Sequence, residues 1–244
     1  MKWASKNGAA SVIGYDVDPS KASESPFPVS VRDSLRSPPQ YAGKFVVTNP
    51  PYLNKNKAKG VAKESFSGHS SDDLYQIAVS TLSDADGGIL VVPINFLSAE
   101  NAAESRKIFF RNFRIISANY FTEAVFDDTG YSVVAFSFER LTVPATVCRF
   151  AMNILPDGRR IELELESQFG WMAGGRFVSA VLSTPDYLGT ARVCEKDFQK
   201  PGPKDSVLLN YNDFKTERWF EVPEKNFREM EASVLILKSI DAGK

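Results

Sequence analysis

The chain has 244 residues, 43 % hydrophobic and 24 % charged, and its 29 basic and 30 acidic side chains leave a formal net charge of −1. That balance belongs to an ordinary globular protein and excludes a disordered chain. It also excludes a global positive field, so any nucleic-acid contact must rest on local basic patches.

The length accommodates one large domain, or a domain of roughly 150 residues followed by a smaller one. No apolar run approaches the ~20 residues that span a bilayer, and the N-terminus lacks the basic, apolar and small-residue order of a signal peptide. The expectation is a soluble, intracellular protein without a membrane partner. Cys148 and Cys194 are far apart and His69 is the sole histidine. Such spacing suits neither a zinc site nor a disulfide, and no metal is expected.

In chain order, Met1 to Gly8 reads as the end of a polar helix stopped by glycine, and Ser11 to Tyr15 as a short strand ending at Asp16. A serine- and proline-rich loop, Pro19 to Pro28, leads to a strand at Val29-Ser-Val31. A turn cluster at Pro38-Pro39 precedes another at Lys44-Phe-Val-Val-Thr48. Leu74, Ile77, Ala78 and Leu82 have the spacing of a one-faced helix over Asp72 to Leu82, with Ser71 or Asp72 as its N-cap. Gly88-Ile-Leu-Val-Val-Pro93 reads as a strand buried on both faces.

Ala99 to Phe110 is expected to be a helix, and Arg114 to Phe121 and Tyr131 to Glu139 two strands joined closely enough to be antiparallel. The alternation implies an α/β fold with a mostly parallel sheet and covering helices. After about Leu141 the texture changes to Val, Thr and Glu alternation, clearest in Arg160-Ile-Glu-Leu-Glu-Leu-Glu166 behind the turn Pro156-Asp-Gly158. Two regions are therefore expected, residues 1–140 and a β-rich region at 141–244. The second closes in a charged helix from Glu224 to Lys238.

The segment richest in chemistry is Thr48-Asn49-Pro50-Pro51-Tyr52, at the carboxyl end of an apolar strand, where open α/β sheets bind ligands. Two prolines stiffen the turn, remove two backbone donors and leave carbonyl acceptors facing outward. Asn49 and the Pro50 carbonyl can then accept both hydrogens of an exocyclic amino group. This keeps the nitrogen lone pair out of ring conjugation and available to attack an electrophilic methyl group. Tyr52 offers an aromatic face for an extruded base.

This corner resembles the Asn-Pro-Pro-Tyr signature of amino-group DNA methyltransferases acting on adenine N6, closest in flavour to restriction-modification enzymes of bacteria and large algal viruses. The resemblance covers about Lys2 to Arg140. It implies a class I, Rossmann-like S-adenosylmethionine-dependent methyltransferase sheet. It also implies a carboxylate for the cofactor ribose at Asp16, in Ile13-Gly-Tyr-Asp-Val-Asp-Pro19. Asp18 points to the other face and is expected to cap the following turn. Asp33, in Val31-Arg-Asp-Ser34, falls where the family holds the cofactor adenine, with Ser34 beside it; a turn aspartate is the plainer reading.

Phe126, in Ala124-Val-Phe-Asp-Asp-Thr-Gly-Tyr131, stands where the family places a second stacking aromatic, with Tyr131 as the alternative. Lys55, Lys57 and Lys59 lie in a loop just after the corner, suited to gripping phosphates without reading sequence. By the same resemblance, residues 142–244 would carry target recognition in double-stranded DNA. Arg159, Arg160, Arg176 and Lys204 are its candidate contacts, although solvated strand faces account for them equally well.

The family places a first strand and a glycine-rich turn ahead of the helix that opens this chain. Met1 comes too late for them, and Gly8 and Gly14 stand inside or after the helix. The sheet is therefore expected to be truncated at its N-terminus. Three explanations stay open: a truncated or re-initiated product, a split enzyme whose partner chain supplies the strand, or a catalytically silent descendant. The rival function is a non-catalytic DNA-binding or regulatory subunit that keeps the fold. Cytosine N4, RNA or a protein glutamine are alternative acceptors within the same chemistry.

Overall fold

The apolar run after Asp86 forms β4 (Gly87–Pro93), a strand flanked on both edges. β3 (Phe45–Thr48) pairs with it in parallel, Thr48 opposite Leu90. β6 (Val133–Arg140) pairs with it antiparallel, Pro93 opposite Val133. β5 (Phe113–Phe121) follows antiparallel to β6, as expected. β7 (Val147–Leu155) lies parallel to β5, and β8 (Arg159–Glu166) closes the far edge antiparallel to β7. The six strands run in the order β3-β4-β6-β5-β7-β8.

This computed structural model describes residues 6, 8–25, 27–126 and 132–183, with the backbone of four later strands. It divides into two compact units, Met1–Arg176 and Phe177–Lys244. The change of texture at Leu141 therefore does not coincide with this division. β7 hydrogen-bonds to β5, so the strand-rich sequence begins inside the sheet instead of founding a separate layer.

A mostly parallel sheet is also corrected to a mixed one, because β6 runs against both β4 and β5. In the second unit β10 (Ser206–Asn212) and β11 (Glu217–Pro223) form an antiparallel pair, as do β9 (Thr190–Val193) and β12 (Val234–Leu237). A helix over Glu224 to Lys238 is thus contradicted at Val234–Leu237, where four aliphatic residues pair as a strand. Residues 224–233 and Lys238 lie outside the described residues, as do 1–5 and 7 of the expected first helix.

The core lies on one face of the six-stranded sheet. Leu90, Val92, Val134, Phe136, Phe138, Ile115 and Phe150 meet Tyr75, Val79 and Leu82 from helix α3 (Leu74–Thr81) and Phe109 and Phe110 from α5 (Ala103–Asn112). Phe109 contacts Phe96, Phe110, Phe113, Phe136 and Phe138, with ring centroids 5.1–5.7 Å apart. On the opposite face Phe45 and Val47 are 63 % and 60 % exposed. Burial along β4 accordingly alternates, with Leu90 and Val92 buried and Ile89 and Val91 only half-buried, so a strand covered equally on both faces is not what forms.

Gly88 marks the closest approach in this core. A β-carbon there would overlap the Val46 carbonyl oxygen of β3 and come within 2.8 Å of the Phe138 ring of β6. Both neighbours are fixed by the ladder, so Gly88→Ala is expected to destabilise the unit by about 3 kcal/mol through overpacking, read as a lower midpoint in urea.

β1 (Gly14–Asp16) and β2 (Val29–Val31) form a separate parallel pair, with helix α1 (Pro19–Glu24) in the crossover between them. Among the described residues, neither the second edge of β1 nor the outer edge of β3 carries a strand. A short helix, α2 (Val61–Glu64), lies between β3 and α3. No helix among the described residues is long and apolar enough to cross a membrane.

Candidate active site

Asn49 and the two prolines follow directly on Thr48, the last residue of β3, beside the carboxyl end of β4. Proline cannot extend the β-ladder, so the double proline ends the strand and turns the chain. Asn49 and Pro51 are exposed, whereas Pro50 is buried. The Tyr52 hydroxyl folds back toward Asn49 and donates to its Oδ1 over 2.6 Å, with the Val91 carbonyl of β4 as a second acceptor at 3.2 Å. Half-burial of Tyr52 pushes its phenol well above the ordinary range, so it remains a hydrogen-bond donor at any physiological pH.

An amide oxygen has two lone pairs. Tyr52 occupies one on Asn49, and the other is left to receive a donor from outside. The Tyr52 ring meets Phe126 edge-on, centroids 6.2 Å apart at 65°, and Tyr75 at 6.4 Å and 87°. The structure therefore gathers Asn49, Tyr52 and Phe126 in one place, joined by an aromatic from α3. Tyr131 lies outside the described residues.

Asp16 and Asp33 are brought near each other at the ends of β1 and β2, where Asp16 is opposite Val31 and its carbonyl accepts from Arg32 N–H at 2.8 Å. Each carboxylate also serves its own backbone. Asp16 Oδ1 accepts from Asp18 N–H at 2.9 Å. Asp33 Oδ1 accepts from Leu35 and Arg36 N–H at 3.0 and 3.2 Å, closing the turn that contains Ser34. Asp18 caps α1 through Ser20, whose N–H and hydroxyl both donate to it and hold its carboxyl below the usual range. No hydrogen bond or ring contact joins the Asp16 and Asp33 pair to the proline corner among the described residues.

The loop after the corner is a tight turn built on Asn54, whose side chain accepts from Asn56 N–H at 3.0 Å and whose carbonyl accepts from Lys57 N–H at 2.9 Å. Lys55, Lys57 and Lys59 all face solvent. The arginines proposed for DNA contact are already opposed by carboxylates: Arg159 by Asp157 at 3.0 Å, Arg160 by Glu162 at 3.5 Å, and Arg176 by Glu164 and Glu166 at 2.8 and 2.6 Å. Arg176 holds the Glu166 carboxyl below its ordinary range. Lys204 lies outside the described residues.

Sequence reasoning assigned the α3 cap to the wrong residue. The cap is Asp73, not Ser71 or Asp72, and its side chain accepts from Tyr75 N–H. The spacing Asp73-Leu-Tyr-Gln76 is that of a capping box and could have revealed it. Gln76 reaches back to the Asp72 N–H at 2.9 Å, as the glutamine of such a box does toward the helix start.

The fold and corner define an α/β protein with a polar, aromatic-lined site at the carboxyl end of paired parallel strands. No protein-family model matches the chain, and no curated protein matches it significantly. Among solved structures it is similar to a modification subunit of a putative type I restriction enzyme from Vibrio vulnificus YJ016 (16 % identity, TM-score 0.40, 54 % of this chain and 31 % of that one). It is also similar to the M protein of the type I restriction enzyme EcoKI (12 %, 0.42, 94 % and 54 %) and to the type IIG restriction endonuclease BpuSI (14 %, 0.41, 77 % and 28 %). The chain thus spans about a third of the first of these proteins and about half of the second.

Proposed function

We propose that this chain carries the catalytic corner of an S-adenosylmethionine-dependent DNA adenine-N6 methyltransferase of the restriction-modification kind, acting on a base flipped out of double-stranded DNA. The observation that carries the reading is the exposed Asn49 amide oxygen, held by Tyr52 and flanked by Phe126. A flipped adenine would donate one N6 hydrogen to Asn49 Oδ1 and the other to the Pro50 carbonyl, with Tyr52 and Phe126 bounding its ring. S-adenosylmethionine would supply an electrophilic methyl group on a sulfonium. The two oxygen acceptors localise the lone pair on N6 and aim it, so the corner acts by positioning and without a strong base. The proton released from N6 after transfer passes to water.

The half-buried Asp16 at the end of β1 suits two ribose hydroxyls, since one of its oxygens is engaged by the backbone and the other is available. Asp33, beside Ser34, would meet the cofactor adenine through its second oxygen. For the methionine end no backbone cradle is found among the described residues. The proposal therefore includes a strand with a glycine-rich turn, from a partner chain or from a segment ahead of Met1, pairing with the open edges of β1 and β3. Lys55, Lys57 and Lys59 would grip phosphates near the extruded nucleotide. Residues 141–244 are proposed to contribute target recognition.

The test is incubation of the chain, alone and with such a segment, with DNA and S-adenosylmethionine, followed by mass spectrometry of the nucleosides. N6-methyladenine is expected; N4-methylcytosine would change the acceptor, and no modified nucleoside in either mixture would end the proposal. The commitment of Asp33 to its own turn favours a second reading, a regulatory subunit that keeps the fold without the cofactor. Calorimetry separates the two, because such a subunit releases no heat with S-adenosylmethionine even once the sheet is completed.

A further inference from the structure

We propose that Asp73 is a positioning residue for this corner: its side chain, reaching across from the start of α3, fixes the segment that leaves Tyr52 and so sets where the Tyr52 ring stands. Its relevance to catalysis rests on the function proposed above, but the structural part stands alone. Asp73 is 8 % exposed, and its Oδ1 accepts from Leu53 N–H at 3.0 Å, twenty residues back and next to Tyr52. The same oxygen accepts from Tyr75 N–H at 3.4 Å, so one atom serves as helix cap and loop anchor together.

Three further observations show that the anchor is built into the fold. The backbones run side by side: Leu74 N–H donates to the Leu53 carbonyl at 3.2 Å, Lys55 N–H donates to the Asp72 carbonyl at 2.8 Å, and Asn54 bridges antiparallel to Asp73. Leu53 packs on the small cluster of Ala58, Phe66, Leu74 and Ile77. The start of α3 is tied down in turn, since Gln76 accepts from Asp72 N–H and donates to the Asn101 carbonyl at 3.3 Å. The Tyr75 ring, two residues beyond Asp73, then abuts Tyr52. Among these ties only the Leu53 N–H depends on a side chain, which makes Asp73 the point where substitution acts on the loop.

The experiment compares wild type, Asp73→Ala and Asp73→Asn by amide hydrogen exchange resolved at Leu53 and along α3, with methylation of DNA measured in parallel. Asparagine keeps the Oδ1 acceptor and alanine removes it. Exchange at Leu53 is expected to rise about tenfold or more in Asp73→Ala, beyond any rise in the middle of α3, and to be restored to near wild type in Asp73→Asn. Turnover should follow the same order while the KM for S-adenosylmethionine stays unchanged. Protection at Leu53 that survives in Asp73→Ala, or that rises and falls only with α3 as a whole, overturns the proposal. Lost protection at Leu53 with undiminished turnover also overturns it and leaves the methyltransferase reading intact. That reading fails instead if turnover is indifferent to Asn49→Ala.

Discussion

Asn49→Ala is expected to lower methyl transfer to DNA by at least about two orders of magnitude, the usual effect of deleting one polar group aimed at a reacting centre. The variant removes the Oδ1 that Tyr52 orients and that would accept from the target amine. It should not unfold the protein. Asn49 is exposed, and the Tyr52 hydroxyl already has the Val91 carbonyl within 3.2 Å as a substitute acceptor. The change in stability should therefore remain within about 0.5 kcal/mol, as for other surface positions. DNA binding should persist as well, since Lys55, Lys57 and Lys59 are untouched. Incorporation of a labelled methyl group, a melting curve and a DNA titration check the three parts. Undiminished incorporation would remove Asn49 from the mechanism.

Arg106→Met should instead damage the fold and leave the proline corner chemically intact. Arg106 is 1 % exposed and lies within α5, and its bonds run to backbone carbonyls. Nε donates to Gly170 at 3.0 Å, and Nη1 donates to Phe96 at 3.0 Å and to Ala99 at 2.7 Å. One guanidinium thus satisfies the end of α4 (Asn95–Ser98), the residue after it and the turn beyond β8. Burial holds its pKa below the ordinary value, a sign of how little water reaches it.

Methionine fills much of the volume but offers no donor, so three carbonyls lose their partner. At about 1–3 kcal/mol for each acceptor left unsatisfied, and with some reached by water after relaxation, a loss of roughly 3–5 kcal/mol is expected. Arg106→Lys should recover only part of it, because an ammonium cannot span the same fork. Urea unfolding measures both. A methionine variant as stable as wild type would show that those carbonyls find other donors.

Much of the fold was legible because its signals are local. The run Gly88 to Pro93 is too apolar to lie anywhere but in a core, and the spacing of Leu74, Ile77 and Ala78 gives a helix wherever its apolar face finds a sheet. The close join of β5 and β6 was enough to expect their antiparallel pairing. The Asn-Pro-Pro-Tyr corner was likewise readable, since proline geometry and strand termination are properties of a few adjacent residues.

What the sequence could not give was decided by pairing and by distance. β7 looks the same whether it starts a new domain or extends an old sheet, and only its register with β5 chose the second. β4 reads as buried on both faces, yet helices pack on one side of it and Ile89 and Val91 stay half-open. Asp33 could be a ligand or a turn residue until its oxygen was found bonded to Leu35 and Arg36. Asp73 lies twenty residues from Leu53 and acquires its part only when α3 is laid against the loop.

By itself the sequence determined the segments and the chemistry each could offer, because helix, strand and proline turn are set by neighbours along the chain. The tertiary structure decided which of those groups share a site, because a hydrogen bond of about 3 Å or a ring contact of about 6 Å depends on how distant segments pack.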